Sequence, residues 1–578
     1  MQKKNIKNKS LLNIFSINKL YPFLLIIFLY IYLFHFTACL YSFEKQNLES
    51  NNLDSMISKL KENEKSIAYP DKNLLKLLQA ILLERKQDYI LAYEIYQTLI
   101  NSEYSIYAKN RINIILKYYI NPHEIQSKTQ NQLEESIFTK YENNLLTFLS
   151  YDDIKTFFNL FYSLIFPVKK SSREELTHIL GKIRKDEKLQ SKIFELLTQS
   201  ETILNQNNLA YMTKSKIYFY RFFFYLFSAT DYQDLKDKKS NSLYLSFFNG
   251  GLYYYQILSY CIINAISSDD LLKSALDVEF SKLDLANFFE FTEDLQKEFF
   301  NLIKDKKEIR KNLKRTFNQS KIKKTEYDKD KIQSHLFLAN YLFENDLNIE
   351  FSRAIFYLRD LVENYRIYNS LLIDFYNYTG QYDKAIYYQW DNLLNNFFPI
   401  SILKREKISA QELVCIFPLW FIDIINENIE KFKDQFEPLS SKDSILLDPY
   451  LYLAIINAES SFSKEIFSVA NAIGLMQLLP STDAWLRRST ISKSKENLKN
   501  PAYNIESGFY YIKYLNKFFN GNIIYILGAY NSGHNSFNKK KTPSIHPLLV
   551  SELYPVSETS IYIKKIIRNY LFYKLIYE

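Results

Sequence analysis

Glu459 is the residue in this chain whose setting most clearly suits acid–base chemistry. It closes the run YLYLAIINAES, which begins at Asp448-Pro449. An aspartate acceptor followed by proline predicts a helix start, with Asp448 at the N-cap and Pro449 in the first helical position. The predicted helix is apolar almost all round, so burial on most sides is expected. Glu459 then falls in the last turn, where the negative end of the helix dipole and the apolar neighbours both disfavour a carboxylate. A carboxyl held in this way is protonated more readily than usual, as a general acid must be. A cap partner or one half of a buried ion pair is the structural alternative for the same residue.

Downstream stand Ser468-Val469-Ala470-Asn471-Ala472-Ile473-Gly474-Leu475-Met476-Gln477-Leu478-Leu479-Pro480, then Gly528-Ala529-Tyr530-Asn531-Ser532-Gly533, then Glu558-Thr559-Ser560-Ile561-Tyr562. With Glu459-Ser460, this ordered series resembles the catalytic domain of the soluble lytic transglycosylases, which share the goose-type lysozyme fold. The resemblance covers about residues 415–578, and Phe417-Pro418 with Asp448-Pro449 resembles the family's leading segment. Three positions depart from the family pattern. Asn471 replaces a glycine, and asparagine is the residue that best tolerates positive φ after glycine. Leu479 replaces a methionine, nearly conserving volume. Asn457 stands where an arginine is common, which bears on how Glu459 is held.

The resemblance implies a single catalytic acid. Glu459 protonates the oxygen between N-acetylmuramic acid and N-acetylglucosamine. It then deprotonates the C6 hydroxyl of the same muramyl sugar, giving a 1,6-anhydro end. Ser468, Gln477 and Tyr530 are implied to line the site, with Met476, Leu479 and Asn531 as further substrate-binding positions. Glu558 and Tyr562 are implied as groove and support residues. Neither a metal nor a cofactor is implied. The expected partners are peptidoglycan glycan strands. A hydrolase of the same fold and a non-catalytic envelope scaffold are the two other function classes. Glu506, in NPAYNIESGFYYIKYL, is expected to be a surface charge.

The elements that must position these residues are helical. Glycine is scarce, 9 in 578 against a typical ~7%. No phosphate-cradling glycine pattern can be read among the nine, and an all-β fold would lack turn material. The 73 basic and 64 acidic side chains leave a mild +9, spread along the chain, so no nucleic-acid stripe is indicated. The three cysteines lack CxxC spacing and the six histidines lack i,i+4 pairing, so neither a disulfide framework nor a His/Cys metal site is indicated. Aromatics make up 17%, which is read as composition and not as a special surface.

Residues 45–410 read as helical segments with apolar positions at three and four spacing. Leu75, Leu78, Ile81 and Leu82 form one stripe; Tyr89, Ala92 and Tyr96, and Phe351, Ala354 and Leu358, resemble tetratricopeptide helix pairs. So does the turn Thr379-Gly380-Gln381-Tyr382-Asp383-Lys384-Ala385. No clean 34-residue period runs through the region, so an irregular helical domain is the alternative. Residues 304–332 read as a solvated helix face or linker. The expected fold is all-α: an N-terminal helical superhelix of tetratricopeptide-like pairs and a C-terminal lysozyme-like α domain. The array is expected to position the enzyme, do no chemistry, and offer a surface to envelope proteins.

Residues 1–40 join a lysine-rich start without acids (Lys3, Lys4, Lys7, Lys9, Lys19) to the apolar run LYPFLLIIFLYIYLFHFTACL. That is an export or anchoring pattern. Phe36-Thr37-Ala38-Cys39 resembles a loose lipobox, which would make Cys39 a lipidated residue. An uncleaved span and ordinary cleavage remain open, since about 20 apolar residues suffice to cross a bilayer. Each alternative places the body in the periplasm or cell envelope. Metabolic labelling with a palmitate analogue is expected to mark the wild type and not Cys39→Ser; equal label in both would leave the uncleaved span.

Overall fold

The computed structural model describes residues 71–116, most of 180–319, 329–397 apart from 360 and 364, 408–436, 445–488, 497–540, 554 and 557–578. Cys39 and the expected export segment lie outside the described residues. Among the described residues the regular elements are helices and no strand extends beyond an isolated bridge, such as the antiparallel ones from Phe467 to Ile473 and from Ile473 to Leu478. The all-α expectation holds.

Two compact units divide the chain by packing, one containing 310–368 with the first helices and the other containing the remainder. Helices on both sides of the expected 410–415 boundary therefore share the second unit. In the first unit, Asp71–Arg85 pairs with Tyr89–Thr98, followed by Ser105–Ile115. Ala92 and Tyr96 are fully buried between the pair, because a methyl side chain lets the two backbones approach. Asn348–Arg359 buries Phe351, Ala354 and Leu358 in the same way. The buried Glu84 carboxylate accepts from Arg111 Nε at 3.0 Å and Tyr96 Oη at 3.0 Å. Arg85 Nε donates to Glu350 at 2.7 Å. Such buried charges need this partnering to offset desolvation.

In the second unit, Tyr211–Phe227, Asp234–Phe248 and Tyr254–Ser267 meet through serines. Ser215 Oγ donates to the Ser246 carbonyl at 2.7 Å, and Ser259 Oγ donates to Ser246 Oγ at 2.9 Å. Small hydroxyl side chains permit close helix approach while satisfying their own polar atoms. The turn at Gly380, with φ of 70°, joins Arg366–Tyr378 to Tyr382–Phe397, and Ala385 is fully buried.

The remaining helices build the site. Pro449–Ser460 starts as expected: Asp448 accepts from Tyr450 N, and Pro449 is the first helical residue. Pro501–Phe519 repeats the device with Asn500 and Pro501, and Asn522 caps Ile523–Ser532. Each such cap contributes about 1 kcal/mol. Pro501–Phe519 is the central helix, with Ile505, Phe509, Ile512 and Leu515 all 1% exposed or less. Phe509 stacks on Tyr452 with ring centroids 3.7 Å apart. Ser557–Tyr577 is the last helix and is tied to the start of Pro449–Ser460: Tyr570 Oη and Lys574 Nζ donate to Asp448 at 2.9 and 3.1 Å.

This bundle does not stand apart from the preceding helices. Trp420 stacks on Tyr382 at 4.1 Å and meets Phe299 edge-on at 4.5 Å. Lys564 Nζ donates to Tyr255 Oη at 3.3 Å, and the Arg568 guanidinium lies over the Trp390 ring at 5.5 Å. A fragment of residues 415–578 loses all of these contacts. It is expected to unfold at a lower urea concentration than the full chain, and Trp420→Ala in the full chain to cost about 3 kcal/mol; unchanged urea midpoints in both would show that the bundle is self-sufficient.

Candidate active site

The helix carrying Glu459 is apolar for a structural reason. Leu451 to Ile456 are each 1% exposed or less, so the helix is packed on every side until its last turn. There the chain leaves the helical path abruptly. Ser461 and Phe462 both take left-handed backbone, with φ of 48° and 66°. For a residue with a Cβ this costs about 1–2 kcal/mol, and Phe462 offsets it by burying its ring to 1% exposure.

The reversal brings residues 463–479 back beneath the helix end. Ser460 Oγ donates to the Leu475 carbonyl at 2.8 Å, pinning the loop to the residue after Glu459. Inside the loop, Ile473 and Leu478 exchange backbone hydrogen bonds of 3.0 and 3.2 Å, and Gly474 N donates to the Ile466 carbonyl at 3.0 Å. Asn471 has φ of 63°, so the departure from the family glycine keeps the left-handed turn. Gly474 has φ of 79°, and a Cβ there would lie 2.5 Å from both Asn504 Nδ2 and the Leu498 carbonyl. Asn504 is wholly buried on the central helix. Its side chain accepts from Met476 N at 2.8 Å and donates to the carbonyls of Ile473 and Leu498, both at 2.9 Å. The sequence reading missed Asn504; an asparagine inside an otherwise apolar helical stripe is the signal that could have found it.

The residues picked out from the sequence fall into two groups. Glu459, Tyr530 and Tyr562 come together. Tyr562 Oη donates to Glu459 Oε1 at 2.6 Å. Tyr530 is buried, donates to the Met476 carbonyl at 2.8 Å, and feels the Glu459 charge. Glu558 is exposed one turn before Tyr562 and acts on Glu459 as a like charge. The others brace the loop or border it. Ser468 Oγ accepts from Ala472 N at 3.0 Å, and Gln477 Nε2 donates to the Gly474 and Ile466 carbonyls at 2.8 and 3.2 Å. Met476 is wholly buried, and a Cβ on Gly508 would stand 2.1 Å from its sulfur. Asn531 accepts from Thr559 Oγ1 at 2.7 Å, while Leu479 is 38% exposed. Asn457 turns away from Glu459 and donates to the Ile416 carbonyl at 2.8 Å. Glu506 is part-buried and pairs with Arg487 at 2.8 Å and with Lys431.

Lys565 is the second residue that the sequence reading missed. It stands one residue short of a full turn after Tyr562, and its Nζ donates to the Ala458 carbonyl at 2.7 Å. A cation there satisfies one of the unpaired carbonyls at the helix end. Burial, with the neighbouring Arg568 charge, lowers the Lys565 ammonium to about 8. Burial raises the Glu459 carboxyl to about 7, opposed by the Tyr562 hydrogen bond and the Lys565 charge and reinforced by Glu558. The arrangement holds a carboxyl that is protonated near neutrality and has a hydrogen bond and a cation ready for its ionised form. Among the described residues no cluster of three or more His, Cys, Asp or Glu side chains is placed to hold a metal ion.

The raised carboxyl has a consequence for stability. The folded protein holds the Glu459 proton more tightly than the unfolded chain, so this group's contribution to stability is full below the unfolded value of 4.5 and is lost as pH rises to about 7. The loss is roughly 3 kcal/mol by the usual conversion of such a shift. Thermal melts should therefore show Glu459→Gln gaining on the wild type between these two pH values; parallel curves would mean that Glu459 is not held protonated.

The family described as Transglycosylase SLT domain matches residues 440–545. Membrane-bound lytic murein transglycosylase C of Histophilus somni is 35% identical over 144 residues, covering 22% of this chain and 39% of that protein. The protein of the same name from Haemophilus influenzae is 32% identical over 144 residues, covering 22% of this chain and 40% of its own length. The chain thus spans less than half the length of these curated relatives. An inactive mutant of the lytic transglycosylase Slt from Pseudomonas aeruginosa is a solved structure with 16% identity and a TM-score of 0.37, covering 89% of this chain and 75% of that one. The match encloses Glu459, its returning loop and the central helix, so over residues 440–545 this chain is similar to the transglycosylase SLT domain family.

Proposed function

We propose that this chain is a peptidoglycan lytic transglycosylase that cleaves the β-1,4 bond between N-acetylmuramic acid and N-acetylglucosamine and leaves 1,6-anhydromuramyl ends. The observation that carries the reading is the carboxyl of Glu459, raised to about 7 by burial and bonded to Tyr562 Oη at 2.6 Å. The relatives named as lytic murein transglycosylases support the substrate.

Glu459 enters protonated and gives its proton to the glycosidic oxygen as the bond breaks. The oxocarbenium-like centre is stabilised by the sugar's own N-acetyl group. The new carboxylate keeps the Tyr562 hydrogen bond and gains the Lys565 charge. It then takes the proton of the C6 hydroxyl, whose oxygen closes on C1. The carboxyl is restored and no water is consumed. The C6 hydroxyl competes well because it is held at high effective molarity. A water-using glycosidase needs a second carboxylate; among the described residues the acid whose charge acts on Glu459 is the exposed Glu558. Ser468, Gln477, Met476 and Tyr530 support the site by fixing its loop, and Leu479, Asn531 and Glu558 border it. Residues 45–410 act as a scaffold for 415–578, and the chain works in the cell envelope, held to a membrane through its N-terminal segment. The membrane-bound relatives support that location.

Mass spectrometry of fragments released from purified peptidoglycan is expected to give anhydro ends, at a rate that declines as pH rises through about 7. Glu459→Gln should retain the helical circular dichroism spectrum and release nothing, since an amide cannot give and recover the proton. Reducing ends in place of anhydro ends would make the chain a hydrolase, and release by a folded Glu459→Gln protein would remove the single-acid mechanism.

A further inference from the structure

The net charge of the chain is concentrated more than its total suggests. Residues 304–324 hold ten lysines and arginines and two acids, a net +8 against +9 for all 578 residues. The helix Lys306–Gln319 occupies most of this stretch, where a solvated face or a linker was expected. Its inward side is closed: Ile309, Leu313 and Thr316 are 0%, 4% and 6% exposed. By helical spacing, Lys307, Lys311 and Lys314 form one row on the opposite side, flanked by Arg310 and Arg315. Lys307, Lys311, Lys314 and Arg315 are exposed and form no ion pair among the described residues. Arg310 pairs with Glu344, and Glu308, the acid within the helix, pairs with Lys304 at 3.7 Å.

Folding alone gives these cations no reason to share a face. Lys307 with Lys311, and Lys311 with Arg315, are like charges four residues apart, an arrangement that weakens a helix. The row from Lys307 to Arg315 spans about 12 Å. Its chemistry suits a partner that is broad and anionic. Lysine ammonium groups are flexible, strongly hydrated point charges, matched to a diffuse field, whereas a discrete carboxylate or phosphate is better gripped by a planar guanidinium fork. An anionic bilayer supplies such a field, and its headgroups attract each basic side chain that comes within a Debye length. A bilayer is also at hand. Residues 1–40 carry the export or anchoring pattern, and one membrane attachment joined to a polybasic patch holds more firmly than either alone.

We propose that the outward row of Lys306–Gln319 docks on the anionic phospholipid surface of the membrane that the N-terminal segment reaches. The docking rests on the envelope placement stated above and is independent of the reaction at Glu459. It fixes which side of this helix faces the lipid, an orientation that a tether at residues 1–40 leaves free.

The test uses the full chain on two kinds of vesicle, one of phosphatidylcholine alone and one that also contains phosphatidylglycerol. Acetic anhydride labels exposed amines, and mass spectrometry reads the extent at each lysine. Lys307, Lys311 and Lys314 should react about tenfold more slowly on the phosphatidylglycerol vesicles, and high salt should remove the difference. Lys307→Glu with Lys314→Glu should restore full labelling of Lys311 there. Both substituted side chains are exposed, so this variant should keep the wild-type urea midpoint and release anhydro ends from soluble glycan at the wild-type rate. Equal labelling of Lys311 on the two kinds of vesicle would overturn the docking. So would protection by isolated peptidoglycan and not by phosphatidylglycerol, which would assign the row to carboxylates of the wall polymer. Protection that grows with protein concentration in the absence of vesicles would assign it to a second copy of the chain and overturn the docking as well. Protection on phosphatidylglycerol vesicles by a chain that releases no anhydro ends would keep the docking and remove the transglycosylase reading. Anhydro ends with equal labelling would do the reverse.

Discussion

The cost of keeping one carboxyl out of water governs the architecture around it. Glu459 ends a helix whose preceding residues are sealed by packing, and burial alone is enough to hold its proton near neutrality. That setting is useful only if the ionised form is also tolerable for the lifetime of a reaction. Tyr562 and Lys565, both on the last helix, provide for it with a hydrogen bond and a charge. The last helix must therefore be placed accurately against Pro449–Ser460. The ties from Tyr570 and Lys574 to Asp448 fix that relation at the opposite end of the same helix pair. One aspartate thus caps the helix that bears Glu459 and anchors the helix that stabilises its charge.

Much of this was legible in the sequence because it is local. A cap followed by proline, an apolar helix and an acid in its last turn are a pattern of neighbours, and the structure has each of them in place. The left-handed turn at Asn471 follows from the intrinsic tolerance of asparagine. The helical pairs around Ala92, Ala354 and Ala385 follow from spacing and side-chain size. Asn504 and Lys565 were not legible for the opposite reason. Each acts on a segment 28 or 107 residues away, and no spacing rule links a buried amide to the loop that it holds. Met476 illustrates a further difficulty. A motif marks it as part of the site, but only coordinates distinguish a residue facing a groove from one packed against Gly508.

The helices before the bundle do more than precede it in sequence. Trp420 is clasped between Tyr382 and Phe299, and Lys564 and Arg568 of the last helix rest on aromatic rings from the array. The helix that carries Tyr562 and Lys565 on one side is thus seated against the array on another. A disturbance in the array has a short mechanical route to the groups that set the Glu459 proton. The bundle and the helices before it are continuous as packing.

The left-handed residues carry a consequence for how such a chain can be improved. Ten non-glycine residues among those described have positive φ, including Arg488, Asn520 and Phe421. In a glycine-poor chain, these turns are held by residues that would rather be elsewhere, at about 1 kcal/mol each for the less tolerant side chains. That strain is an untapped reserve. Placing glycine at the exposed turns would leave the buried core untouched, so the thermal robustness of this chain depends on its turn residues as well as on its core.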